Sequence, residues 1–260
     1  MTYNDNSNGN GNGNGNGNGN GNGNGNGTLK NDSEEKSTFL KAVELVVADP
    51  KKIKDEAKSL MEKYKTQNPN KSDKEIRDKV VEKIISNYSY YSAFSGGATA
   101  LSSIVPGLGT AIAMVGGGSA DAVITIKFQI EMTMALATVY GHNILNEESK
   151  RLCFMIAGLG AISEVAKEGG KQLGSKAFIS MTNQYLKGAT LTTLKEIFKL
   201  VGVTFTKSAL TKAIPFGVGV VIGFSANKGF TWYVGSKAKD YFESEMDNGD
   251  IDITTNNQER

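Results

Sequence analysis

The chain runs to 260 residues, with 29 Lys and Arg against 27 Asp and Glu, one cysteine and one histidine. A formal net charge of +2 excludes nucleic-acid binding driven by overall charge. One cysteine and one histidine exclude an intrachain disulfide and leave no ligand set for a zinc site.

Residues 8–27 alternate Asn and Gly and carry no hydrophobic side chain, so residues 1–31 are read as a disordered Asn/Gly-rich tail. A single helical domain is expected over 32–246, followed by an acidic disordered tail, 247–260, with Asp247, Asp250 and Asp252. Phe39, Val43, Val46 and Val47 recur at helical spacing and predict a first amphipathic helix capped by Asp32 or Ser33. Asp49-Pro50 opens a second helix carrying Ile53, Ala57, Leu60, Met61 and Tyr64 on one face. Ser72 and Glu75 form a capping box for a third, with Ile76, Val80, Ile84, Ile85 and Tyr88 inward.

The character then changes. From Ser92 to Ala120 no residue is charged, enough for a transmembrane length but diluted by Ser, Thr and Gly and interrupted at Pro106-Gly107. A helix from Pro106 to Tyr140 is predicted, with Gly116, Gly117 and Gly118 as a flexible or tightly packed point and Gly141 as its stop. Lys127 and Glu131, four apart on it, can pair. Asn146 opens the next helix, which buries Leu152, Phe154, Met155, Leu159 and Ile162. Shorter helices are expected over Leu173 to Leu186, Thr190 to Val201 and Thr204 to Lys212, and a long one from Pro215 to Tyr241. The fold class is all-α, a multi-helix bundle with glycine-rich apolar central helices.

Gly217, Gly219 and Gly223 follow Pro215 among Val, Ile and Phe, and glycine at such cost inside a helix points to close approach of another helix. No phosphate-loop signature is completed: Gly169-Gly170-Lys171 is followed by Gln172. His142 reads as a helix-end histidine rather than a general base, and Cys153, in an apolar run, as an inert core thiol. Asp121 and Asn227 each end an apolar glycine-rich stretch; they cap or hydrogen-bond across the two helices, or contact a ligand between them. Trp232 and Tyr233, with Lys228 and Lys237, offer an interfacial membrane anchor or an ordinary amphipathic face. Eight lysines between Glu164 and Lys212, without arginine, suit diffuse attraction to an anionic surface or a solvated face.

The order of Asp121, Gln129, Tyr140-Gly141, Arg151, Ala213-Ile214-Pro215, Gly217, Gly219, Asn227, Phe230-Thr231, Val234, Ala238 and Phe242 resembles the EcsC family over roughly Tyr88 to Phe242. The resemblance implies a helical, membrane-associated protein without an established activity or catalytic residue, of a kind found beside an ABC transporter in some genomes. The expected protein is non-enzymatic and without cofactor or metal. It sits in the cytoplasm at the cytosolic face of a membrane, with an anionic membrane surface or a membrane protein such as a transporter as partner and no specific nucleic acid. Two other readings stand beside it: a soluble domain binding an apolar ligand or protein partner between glycine-rich helices, and a pore-forming protein. The oligomeric state is open.

Overall fold

The computed structural model describes residues 38–94, 101, 105–116, 119–165, 173–187, 191–211 and 219–249, without the side chains of 165, 204–211 and 219–226. The Asn/Gly tract, Pro215, Gly217 and residues 250–260 lie outside the described residues. These residues form helices and their connections, and no strand occurs among them.

Helix α1 (38–46) buries Phe39, Val43 and Val46. Helix α2 (Pro50–Gln67) starts where Asp49 Oδ1 accepts the Lys51 N–H at 2.8 Å, with proline at its first position. Helix α3 (Asp73–Ala93) carries the full capping box: the Glu75 N–H donates to Ser72 Oγ at 3.3 Å and the Ser72 N–H to Glu75 Oε2 at 3.0 Å. Ser72→Ala should therefore cost about 1 kcal/mol in a chemical unfolding experiment. A loss within error would mean that packing alone sets the start of α3.

The single helix expected from Pro106 to Tyr140 is two: α4 (Leu108–Val115) and α5 (Ala120–Val139). The break falls at Gly116, whose φ of 78° leaves the helical region at a position glycine alone takes without strain. Gly141 stops α5 as predicted, with φ 97°. Its N–H donates to Thr138 O at 3.1 Å and the His142 N–H to Ala137 O at 2.9 Å, the paired bonds of a Schellman end.

Helix α6 (Glu147–Val165) opens with the Ser149 N–H on Asn146 Oδ1 at 2.7 Å. Helix α7 (Ser175–Lys187) follows. The two helices expected over 190–212 are one, α8 (Leu191–Thr211). Its internal Gly202 serves packing, since a Cβ there would stand 3.3 Å from Phe39 Cγ. Helix α9 (Gly219–Asp247) runs past the expected end at Tyr241 because Tyr241 and Phe242 are buried and Met246 packs against the core. Gly249, with φ 74°, turns the chain there.

Helix α5 is the axis of the bundle, in contact with α2, α3, α6 and α9. It is buried on nearly every side, as a helix surrounded by others must be, and is apolar all round apart from a few paired polar residues such as Lys127, Gln129 and Glu131. Helix α9 lies antiparallel to α3, with Ser92 near Asn227 and Thr231 and Ile85 beside Gly235. Helix α5 also opposes α3, with Phe128 against Tyr88 and Tyr91 and Tyr140 under Arg77.

Candidate functional site

Where α3, α5 and α9 meet, a chain of hydrogen bonds crosses the core. Gln129 Nε2 reaches Thr231 Oγ1 at 3.4 Å, the Thr231 hydroxyl donates to Ser92 Oγ at 2.8 Å, and the Ser92 hydroxyl lies 3.5 Å from Asn227 O. Gln129, Ser92 and Thr231 are fully buried, so these bonds offset the cost of burying three polar groups. Gln129 Oε1 and, one turn before Ser92, Ser89 Oγ have no protein partner. Around this chain of hydrogen bonds α9 packs on α5 and α6. Tyr140 stacks on Phe242, Val234 sits in the notch left by Gly160, and Ala238 is buried.

Two residues to either side of Gln129, α5 holds a buried ion pair. Lys127 Nζ donates to Glu131 Oε1 at 2.6 Å, and the Ala48 N–H donates to the same oxygen at 2.7 Å. The pair thus ties the α1–α2 junction to the central helix, and the Lys127 ammonium also lies 4.7 Å from the Phe128 ring centre.

A second polar cluster joins α7 to α9. Ser175 donates to Asp240 Oδ2, and Lys237 Nζ stands 3.1 Å from Ser175 Oγ and 3.3 Å from Asp240 Oδ2. Lys237 and Tyr233 are buried, which corrects the reading of both as membrane contacts. Lys237 faces inward because Asp240 and Ser175 pair with it there. Burial, and next the Glu164 carboxylate, push the Tyr233 hydroxyl above the usual phenol range. Trp232 does face outward, 57% exposed, and Lys228 is half-buried, its Nζ 3.9 Å above the Tyr90 ring. Asp121 is exposed on the first turn of α5, where its charge suits the positive dipole end, and Asn227 is half-buried on α9.

The histidine and the cysteine are both packed within the bundle. His142 Nε2 lies 3.3 Å from Glu245 Oε2, with its ring against Phe242. Cys153 is fully buried, and burial, with the Glu245 charge second, pushes its thiol far up. No group of His, Cys, Asp or Glu able to hold a metal occurs among the described residues.

The surroundings of Gly219 and Gly223 lie outside the described residues. Among the described residues, close approach occurs at glycines that the sequence reading did not single out. A Cβ at Gly158 would meet Ile197 Cγ2 at 2.6 Å, one at Gly160 Val234 Cγ1 at 3.2 Å, and one at Gly235 Met132 Sδ at 2.9 Å. Neighbouring side chains of the protein itself fill those notches, which leaves no room there for an apolar ligand. The sequence reading also passed over Tyr90, Tyr91 and Phe94, exposed at the end of α3. Their signal was present: three large aromatic residues at the border of the charge-free stretch.

The chain matches no family model, no curated protein and no solved structure.

Proposed function

We propose that this is a non-enzymatic, EcsC-like helical protein that works as a peripheral component at the cytosolic face of an anionic membrane, in support of a transporter or of lipid remodelling. The observation that carries the reading is the division between core and surface. Among the described residues, α5 is the one helix long and apolar enough to cross a bilayer, and 83% of its apolar window is buried inside the bundle. With Lys127 and Glu131 paired at its middle, α5 is already solvated by protein and has no reason to leave.

The surface offers what a peripheral protein uses. Lys176 and Lys187 on α7 and Lys195 on α8 are exposed. Each lysine near an anionic surface contributes about 1 kcal/mol, an attraction that salt screens.

Cosedimentation tests this directly. The full chain should pellet with phosphatidylserine-containing vesicles at low salt, less in high salt, and wash off cell membranes in carbonate. A protein absent from the cellular membrane fraction and indifferent to anionic vesicles at low salt would overturn the reading.

A further inference from the structure

We infer that the protein meets the bilayer through one face, built from the last two turns of α3 and the middle of α9, with Tyr90, Tyr91, Phe94 and Trp232 at the headgroup–acyl boundary and Lys228 on an anionic headgroup. The inference rests on the peripheral reading above and names the surface that performs it. Tyr90, Tyr91, Phe94 and Trp232 are 48%, 51%, 63% and 57% exposed. Tyr90 and Phe94 are four apart on α3, and Lys228 and Trp232 four apart on α9, so each pair lies on one side of its helix. The Lys228 ammonium, 3.9 Å over the Tyr90 ring, joins the two rows into one face.

The face is held rigid from beneath. Tyr91 meets Tyr88 edge-on at 5.8 Å and Phe128 at 6.0 Å, and Ser92 is hydrogen-bonded to Thr231. Four large rings left in water at one end of the bundle mark an interaction surface; among the other described aromatic residues Tyr185, on α7, is the exposed one.

The chemistry selects a lipid interface. Tyrosine and tryptophan present an apolar body with a polar tip, which is why they collect at the headgroup level of membranes. The cation is lysine, depleted at protein–protein interfaces, where arginine is enriched. Between Ser86 and Phe94 on α3 and between Gly219 and Ser236 on α9, Lys228 is the one charged residue. A protein partner would have to place a carboxylate at Lys228, whereas an anionic headgroup brings its negative charge there without further geometry. Asp121, exposed on the first turn of α5, is repelled by anionic headgroups, which centres the lipid contact on the α3–α9 side. The chain leaves α3 at Phe94 into the rest of the charge-free stretch to Ala120, so the uncharged character continues beyond the face.

The protein carries its own reporter, because Trp232 is its single tryptophan. Titrating the full chain with phosphatidylcholine vesicles, with and without phosphatidylserine, should shift Trp232 emission to the blue and shield it from acrylamide, more strongly with the anionic lipid. Trp232→Ser and the pair Tyr90→Ser with Phe94→Ser should each weaken partitioning by about tenfold or more, with the thermal transition in place. Lys228→Gln should remove part of the preference for the anionic lipid. Cosedimentation with Trp232 emission unmoved, or with the serine variants binding as the parent does, overturns this face and leaves the peripheral reading standing. No binding to any vesicle overturns this face, and with absence from the cellular membrane fraction it overturns the peripheral reading as well. Blue-shifted emission without lipid, with a dimer mass by light scattering that Trp232→Ser returns to monomer, gives the face to a second copy and overturns the inference.

Discussion

Glu131→Ala should lower the unfolding free energy by about 3–5 kcal/mol, the largest loss expected from any one polar side chain in this protein. The Lys127 and Glu131 side chains are only 8% and 6% exposed, so water cannot replace the partner that is removed. Deleting the carboxylate leaves an ammonium in the core and, in addition, orphans the Ala48 N–H that donates to Glu131 Oε1. Glu131→Gln keeps an acceptor for that N–H while still stranding the Lys127 charge, so its cost should fall below that of alanine. The double variant Lys127→Met with Glu131→Leu removes both charges and fills the space, and should be near neutral apart from the Ala48 N–H. Guanidinium unfolding followed by circular dichroism reads all three. A cost for Glu131→Ala of under about 1 kcal/mol would mean that water reaches the pair, and the tie between the α1–α2 junction and α5 would lose its energetic basis.

What could be read from sequence was what residues a few positions apart decide among themselves. The capping box at Ser72 and Glu75, the start at Asp49-Pro50, the stop at Gly141 and the Lys127–Glu131 spacing are all local, and the fold reproduces each. Two of the errors were decided by distant contacts. Gly202 looked like part of a break and is a notch for Phe39, and α9 runs on because α3, α5 and α6 keep burying it. One error was avoidable. At about 100° per residue, Lys228 and Lys237 fall on opposite sides of any helix, so both cannot face one membrane. By the same count Lys228 and Trp232 fall about 40° apart, and the structure leaves Trp232 exposed with Lys228 half-buried over the Tyr90 ring on the same side. The inward partners of Lys237, Ser175 and Asp240, were not legible together, because Ser175 lies 62 positions away on another helix. The Gln129–Thr231–Ser92 chain was hidden for the same reason, although Gln129 and Thr231 both fall among the residues of the family resemblance.

The glycines of α9 allow a test in which two like substitutions move stability in opposite directions. Gly229 and Gly235 lie in the same helix, six positions apart, and the intrinsic gain from Gly→Ala is the same at both, up to about 1 kcal/mol. Their surroundings differ. Nothing stands within 4 Å of a Cβ built on Gly229, which is exposed, so Gly229→Ala should stabilise by most of that gain. A Cβ on Gly235 would lie 2.9 Å from Met132 Sδ and 3.0 Å from both Ile85 Cγ1 and Cγ2. The Met132 thioether can swing aside, but the Ile85 carbons branch at Cβ on the facing helix α3 and cannot move without moving that helix. Overpacking of this kind costs about 1–3 kcal/mol and exceeds the propensity gain, so Gly235→Ala should destabilise. Gly235→Leu should cost about 3 kcal/mol or more, because the larger side chain must part α9 from α3 and α5 together. Thermal and guanidinium unfolding of the three variants measures the signs. If Gly235→Ala proves as stabilising as Gly229→Ala, α3 and α9 do not approach as closely in solution as these distances require. The hydrogen-bonded seam between Ser92 and Thr231, which depends on the same approach, would then loosen with them.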